Sequence, residues 1–367
     1  MLYNIQFLRF IAATLVVIYH CATRMPTNDS VFQGIFDIGE AIGFAGVDIF
    51  FVISGFIMAH TTLDQSGTGD SFNFSRRRLA RIYSGYWPFF ILALVVFGYF
   101  RPGHFAESGL VGSFFLWPQP LNHVLLEITW TLSFELYFYL LFSLLIWVSR
   151  PGIRFGVVLV ATLLLLFFNL YRHFIADSFG PDNIHYLSFW GKFLNSPFLL
   201  EFFCGALIAW WLVKKPAGPA TSWLLAGCLL FLLGGWINVV WYSGLIEQGY
   251  HVVPRVFVYG IPACMILIGL VRMETKGLQT PRRFSAVTGG ASYAIYLSHI
   301  LILTVAWNVG FNEMMTGWSG IMIIAAYTGL ILFILVLSVL HYTFLEKPLH
   351  RLFKRWIGLG SGMFAKV

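Results

Sequence analysis

The chain has 367 residues and a net charge of +7, and 58% of its residues are hydrophobic while 11% are charged, against about 25% charged in an average soluble domain. Mean hydropathy is +0.78, and apolar runs of about 18–22 residues recur from end to end, each the length of a bilayer crossing. So few charges cannot coat a water-soluble core, which excludes a soluble enzyme, a disordered chain and a fibrous protein. The sequence predicts an all-α, polytopic membrane protein with hydrocarbon as its main solvent.

Ten runs are long enough to cross, near 5–22, 41–60, 84–101, 130–149, 153–171, 196–213, 222–242, 254–271, 291–311 and 319–341. The first carries Arg9 and His20, lacks a basic leader and a small-residue cleavage site, and is expected to stay as a span. The second contains Asp48 and several glycines. A solvated loop near 61–75 leads to Arg76, Arg77, Arg78 and Arg81 ahead of the third run. The fourth opens on Trp130 and contains Glu135, and the tight Arg150-Pro151-Gly152 link joins it to the fifth. Glu201 lies in the sixth run and His299 in the ninth. Cys21, Cys204, Cys228 and Cys264 sit in or beside apolar runs without metal-type spacing, and read as packing residues with no disulfide framework and no metal. No soluble domain is expected, so residues 1–367 read as one transmembrane domain.

Of the 23 Lys and Arg residues, five (Arg24, Arg101, Arg172, Lys192 and Arg255) fall in connections leaving odd-numbered runs, and Arg9 is inside the first run. The other 17 lie in the remaining connections and at the chain end, where Lys366 is the last. By the positive-inside rule both termini are cytoplasmic. Topology therefore accounts for the basic balance, with no nucleic-acid partner.

An ionisable group at membrane depth is unfavourable by about 2.5–3.5 kcal/mol and normally faces an interior cavity. Arg9 and His20 are eleven positions apart, about 20° from three full turns, so they share a helix face about 16 Å apart along the axis. In this topology Arg9 is near the cytoplasmic side and His20 near the outer side. Asp48, Glu135 and Glu201 fall in the outer half with His20. A carboxylate bonded to that histidine would fix its tautomer and raise its basicity, but the sequence does not choose among the three. A proton path or isolated structural carboxylates remain open. Arg78 and Arg81, three apart on one face, are either a positive-inside anchor or an anion site.

Six stretches in order carry a resemblance. They are Gln6-Phe7-Leu8-Arg9-Phe10 running to His20; Gly46-Val47-Asp48 through Ser54-Gly55-Phe56; Arg78-Leu79-Ala80-Arg81-Ile82-Tyr83; Thr129-Trp130 through Phe134-Glu135; Ser292-Tyr293 through Ser298-His299; and Glu346-Lys347-Pro348. In them the chain resembles the acyltransferase-three family of integral-membrane O-acyltransferases, in particular its short members that O-acetylate bacterial exopolysaccharides. It departs from many relatives in having Ser84 where they have proline, Leu136 where they have a second acid, and no extra periplasmic domain.

The resemblance implies transfer of an acyl group, usually acetyl, from cytoplasmic acyl-CoA to a hydroxyl of an extracytoplasmic polysaccharide or lipid-linked saccharide, in a bacterial inner membrane. Arg9, Arg78 and Arg81 would hold the donor's phosphates, and His20 would act as general base or as a transiently acylated nucleophile. Asp48 and Glu135 would orient His20 or bind the sugar. Trp130 would stack on the sugar or belong to the interfacial aromatic belt, and Glu201 would join the acceptor side. His299 suits either the thioester route or a structural hydrogen bond, and Glu346 would brace the inner end. A glycan or lipid-precursor transporter or flippase with a proton path is the competing reading.

Overall fold

Backbone groups in hydrocarbon must be satisfied within their own segment, which leaves the helix as the natural element for runs of this kind. A computed structural model describes residues 2–26, 30–176, 188–242, 244, 252–356 and 358. Lys366, counted above with the basic chain end, lies outside them. Among the described residues there are helices and no strands. Ten of these described helices are long and apolar enough to cross a membrane, in the order the sequence predicts.

The principal elements are α1 (Tyr3–Ala22), α2 (Ser30–Gly43), α3 (Gly46–Thr61), α4 (Gly67–Phe100), α5 (Trp130–Val148), α6 (Pro151–Tyr171), α7 (Phe198–Lys214) and α8 (Ala220–Tyr242). They continue with α9 (Val253–Thr275), α10 (Arg282–Asn308) and α11 (Gly320–Trp356). Two of the boundaries that differ from the sequence reading have a plain physical reason. The third crossing belongs to a helix of 34 residues that starts at Gly67, because hydropathy ends at the arginines whereas helical hydrogen bonding does not. The second run divides into α2 and α3 at Phe44 and Ala45.

Small residues let the central helices touch backbone to backbone, the usual solution where lipid offers no hydrophobic drive for helix association. A Cβ on Gly205 of α7 would stand 2.0 Å from Val52 O, and one on Gly55 of α3 would overlap Phe202 O at 1.8 Å. α1 is held in the same way on two sides. A Cβ on Gly46 would be 2.2 Å from Ala12 O, and one on Gly289 of α10 would be 2.3 Å from Gln6 O. The first turn of α1 is also tied down. The Glu274 carboxylate at the end of α9 accepts from Tyr3 N at 2.6 Å and Asn4 N at 2.9 Å. These are among the N–H groups that a helix start leaves without partners. The Asn4 side chain adds bonds to Leu270 O and Leu278 O. α6, α8 and α11 lie outside this centre and expose Leu, Val and Phe along their length.

Two of the three π-turns among the described residues lie near the centre and re-aim side chains, as such bulges often do near functional sites. Val256–Gly260 lies within α9, and Tyr342–Glu346 within α11. The second places the wholly buried Glu346 against α4, where it pairs with Arg81.

Candidate active site

Two cavities lie along α1. The first has a volume of about 250 Å³ and is lined from α1 by Gln6 and Arg9, from α4 by Arg78 and Arg81, from α5 by Glu135 and Tyr139, and from α10 by Ser292, Tyr293 and Tyr296. Arg81 Nη1 is 2.8 Å from Glu346 Oε1. Arg9 Nη1 donates to the neutral Gln6 Oε1 at 3.3 Å. Arg78 donates to Thr61 Oγ1 at 3.3 Å, and its guanidinium lies 5.6 Å from the Tyr139 ring centroid. Tyr139 in turn donates to Glu135 Oε1 at 2.5 Å. Neither Arg9 nor Arg78 is ion-paired among the described residues. Three guanidiniums face two carboxylates, and the excess positive charge sits on forked donors suited to phosphate oxygens.

The second cavity has a volume of about 280 Å³ and is lined by Val16, Tyr19 and His20 of α1, Phe44, Val47, Trp130 of α5, Arg255 of α9 and Tyr296, together with Leu121, Asn122, Glu127 and Ile128. His20 Nδ1 is 2.9 Å from Val16 O and 3.3 Å from His299 Nε2. Its Nε2 has no hydrogen-bond partner among the described residues. Glu127 is partly exposed and pairs with Arg101 at 3.3 Å.

The cavities share a wall. Val47 and Tyr296 line both. The Tyr296 hydroxyl donates to Ile128 O at 3.0 Å and accepts from Thr131 Oγ1 at 3.0 Å, which pins the ring between the two spaces. Arg9 opens on one side of this partition and His20 on the other, both from the same face of α1.

Of the other expected site residues, two line a cavity and three, Asp48, Glu201 and His299, line neither. Glu135 belongs to the arginine cavity with Arg9, Arg78 and Arg81, and Trp130 to the His20 cavity. Asp48 is wholly buried and holds Arg255 through two bonds, Nε to Oδ1 at 2.9 Å and Nη2 to Oδ2 at 2.7 Å. Glu201 is buried beside that pair and against the π-turn, where a Cβ on Gly260 would be 2.9 Å from its Oε1. His299 is wholly buried and lines neither cavity. None of Asp48, Glu135 and Glu201 bonds to His20, whose ring partner is His299. Ser84 Oγ lies 3.0 Å from His350 Nδ1, and α4 runs through that point without a break.

Arg255, Glu127, Tyr139 and Tyr296 of this arrangement were not singled out in the sequence. Arg255 reads there as one of the few cations on its side of the membrane. A carboxylate buried in a crossing calls for a cation, a rule that predicts a partner for Asp48 without choosing Arg255 among the cations of that side. Glu127 reads as a loop acid three residues before Trp130. Tyr296 has no signal beyond its place in the Ser292–His299 stretch.

Ten apolar crossings among the described residues, with one arginine-lined cavity and one beside a histidine between them, define a multi-pass membrane protein. A family profile described as an acyltransferase domain matches residues 2–343. The chain belongs to that family, acyltransferase-three, and is a membrane acyltransferase. It is similar to the exopolysaccharide production protein ExoZ of Rhizobium meliloti strain 1021, with 29% identity over 84% of this chain and 90% of that protein. The acyltransferase MdmB of Streptomyces mycarofaciens is 25% identical over 95% of this chain and 91% of its own length. Nodulation protein 10 of Rhizobium leguminosarum bv. viciae is 24% identical over 84% of each. No solved structure matches the chain significantly.

Proposed function

We propose that this protein is an O-acyltransferase of a bacterial inner membrane that moves an acyl group, most simply acetyl, from cytoplasmic acyl-CoA to a hydroxyl of an extracytoplasmic glycan or lipid-linked saccharide. The observation that carries the reading is the pair of cavities on one face of α1, back to back across Val47 and Tyr296. With both termini cytoplasmic, the arginine cavity opens toward the donor and the His20 cavity toward the acceptor. The similarity to an exopolysaccharide production protein supports a glycan acceptor.

Arg9, Arg78 and Arg81 bind the donor's phosphates, with Glu135 and Tyr139 ordering the wall beside them. The pantetheine arm extends along α1, past the partition, and brings the thioester to His20. Trp130 offers a flat apolar face to a sugar ring, and Asp48 with Glu201 keeps Arg255 in the cavity wall. His20 Nε2 accepts the proton of the acceptor hydroxyl as that oxygen attacks the thioester carbonyl carbon. The C–O bond forms, the C–S bond breaks, and the departing thiolate takes the proton back to leave as the thiol.

Sealed membrane vesicles given labelled acetyl-CoA test the reading. Inverted vesicles, which present the cytoplasmic face, are expected to label lumenal glycan, and right-side-out vesicles are expected not to. His20→Ala is expected to abolish labelling while the protein still inserts. Glycan movement without label, or near-normal labelling by the His20→Ala protein, would overturn it.

A further inference from the structure

His20 and His299 meet where α1 packs on α10, with their rings 5.0 Å apart. His299 Nδ1 is 3.1 Å from Ile295 O, and His20 Nδ1 is 2.9 Å from Val16 O. A carbonyl oxygen only accepts, so each Nδ1 carries a hydrogen. A neutral imidazole has a single N–H, which leaves both Nε2 atoms as bare lone pairs. The one hydrogen on His20 Nδ1 is shared, with Val16 O accepting it at 2.9 Å and His299 Nε2 at 3.3 Å. The opposite tautomers would set two lone pairs against carbonyl oxygens at 2.9 and 3.1 Å.

We infer that His299 is a positioning residue for His20. With Val16 O it holds the tautomer with hydrogen on Nδ1, and it turns the basic Nε2 into the acceptor cavity and shares through this hydrogen bond the positive charge the ring acquires on taking the hydroxyl proton. Buried away from both cavities, it touches neither donor nor acceptor. The inference rests on the proposed role of His20 as base. A carboxylate usually performs this service. Here the buried carboxylate of Asp48 is committed to Arg255, and a second imidazole supplies a neutral acceptor instead. The other titratable or charged groups facing His20 are Tyr19 from its own helix, Glu127 from the turn before α5, Arg255 from α9 and Tyr296 from α10.

The test is the pH dependence of transfer by the full-length protein in lipid nanodiscs, from about pH 5 to 9, the range in which histidine titrates. Labelled acetyl-CoA is the donor and isolated glycan the acceptor, with His299→Ala, His299→Gln and His299→Asp beside the wild type. Because a base must be neutral to work, the rate rises with pH along an acidic limb. His299→Ala should lower kcat by about 10²-fold, the lower range of general-base assistance, and leave the donor KM within about twofold. His299→Gln, a neutral acceptor, should restore much of that loss. His299→Asp, an anionic acceptor, should move the acidic limb to higher pH by about one unit.

A limb that stays in place in His299→Asp, or a raised donor KM with kcat intact in His299→Ala, would overturn the inference. So would failure of all three variants to fold, which would make residue 299 purely structural. His20→Ala separates the two levels. If it still transfers, the proposed function fails. If His20 is required but the limb ignores residue 299, only this inference fails.

Discussion

The Asp48–Arg255 pair gives the sharpest energetic prediction. Both side chains are buried, the contact is two-pronged, and Phe44 and Phe198 cover the guanidinium at 4.8 and 5.0 Å. Removing one partner of a buried pair strands the other charge and is destabilising by about 3–5 kcal/mol, about 10²- to 10⁴-fold in the folding equilibrium. The two single substitutions are not expected to be equal. Arg255→Met leaves Asp48 beside Glu201 with no cation, and two acids in a low dielectric are tolerated only with proton uptake, which costs stability. Asp48→Asn leaves Arg255 with Glu201 as a second acid nearby. Arg255→Met should therefore be the more damaging, and the double variant should lose less than the sum, with a coupling of about 1–3 kcal/mol. Reversible unfolding in mixed detergent micelles, followed by circular dichroism, measures all four proteins. If Arg255→Met lies within about 1 kcal/mol of the wild type, or if the two effects simply add, the pair does not support the fold in the way its geometry implies.

Three further outcomes are expected. Arg78→Ala combined with Arg81→Ala should raise the donor KM at least about tenfold, and the remaining donor affinity should depend less steeply on salt than in the wild type, read from steady-state kinetics at several ionic strengths. Gly205→Ala should destabilise by about 1–3 kcal/mol or more, the range for overpacking, because the new methyl would meet Val52 O at 2.0 Å; micellar unfolding checks it. Tyr296→Ala should open the partition and raise the ratio of acetyl-CoA hydrolysis to acetyl transfer, measured as free thiol released against label in glycan.

Hydropathy revealed the ten crossings because membrane depth imposes one strong demand on every segment that enters it. The shared face of Arg9 and His20 was also legible, since helical periodicity fixes angles within a single element. What lies between elements was not. Asp48 and Arg255 are 207 residues apart, and His20 and His299 are 279 apart. No local pattern encodes which helices adjoin, so the carboxylate partner expected for His20 could be named only as one of three. Glu135 shows the same limit. Its depth placed it with His20, whereas the packing of α5 on α4 turns it toward the arginines. The start of α4 escaped for another reason. Its first turns are polar, and an apolar window stops where the chemistry of the side chains changes.

The seating of α1 has a mechanical consequence. Its first turn is clamped by Glu274, and bare backbone meets it on two flanks, at Gly46 and Gly289. A rod fixed at its base and gripped along its sides has no room to slide or tilt. The gap between the guanidinium of Arg9 and the imidazole of His20 is thereby a fixed ruler, set by eleven residues of one rigid rise. Whatever moves during turnover has to be small and local, a ring swinging aside as the cargo passes, while the scaffold keeps its length.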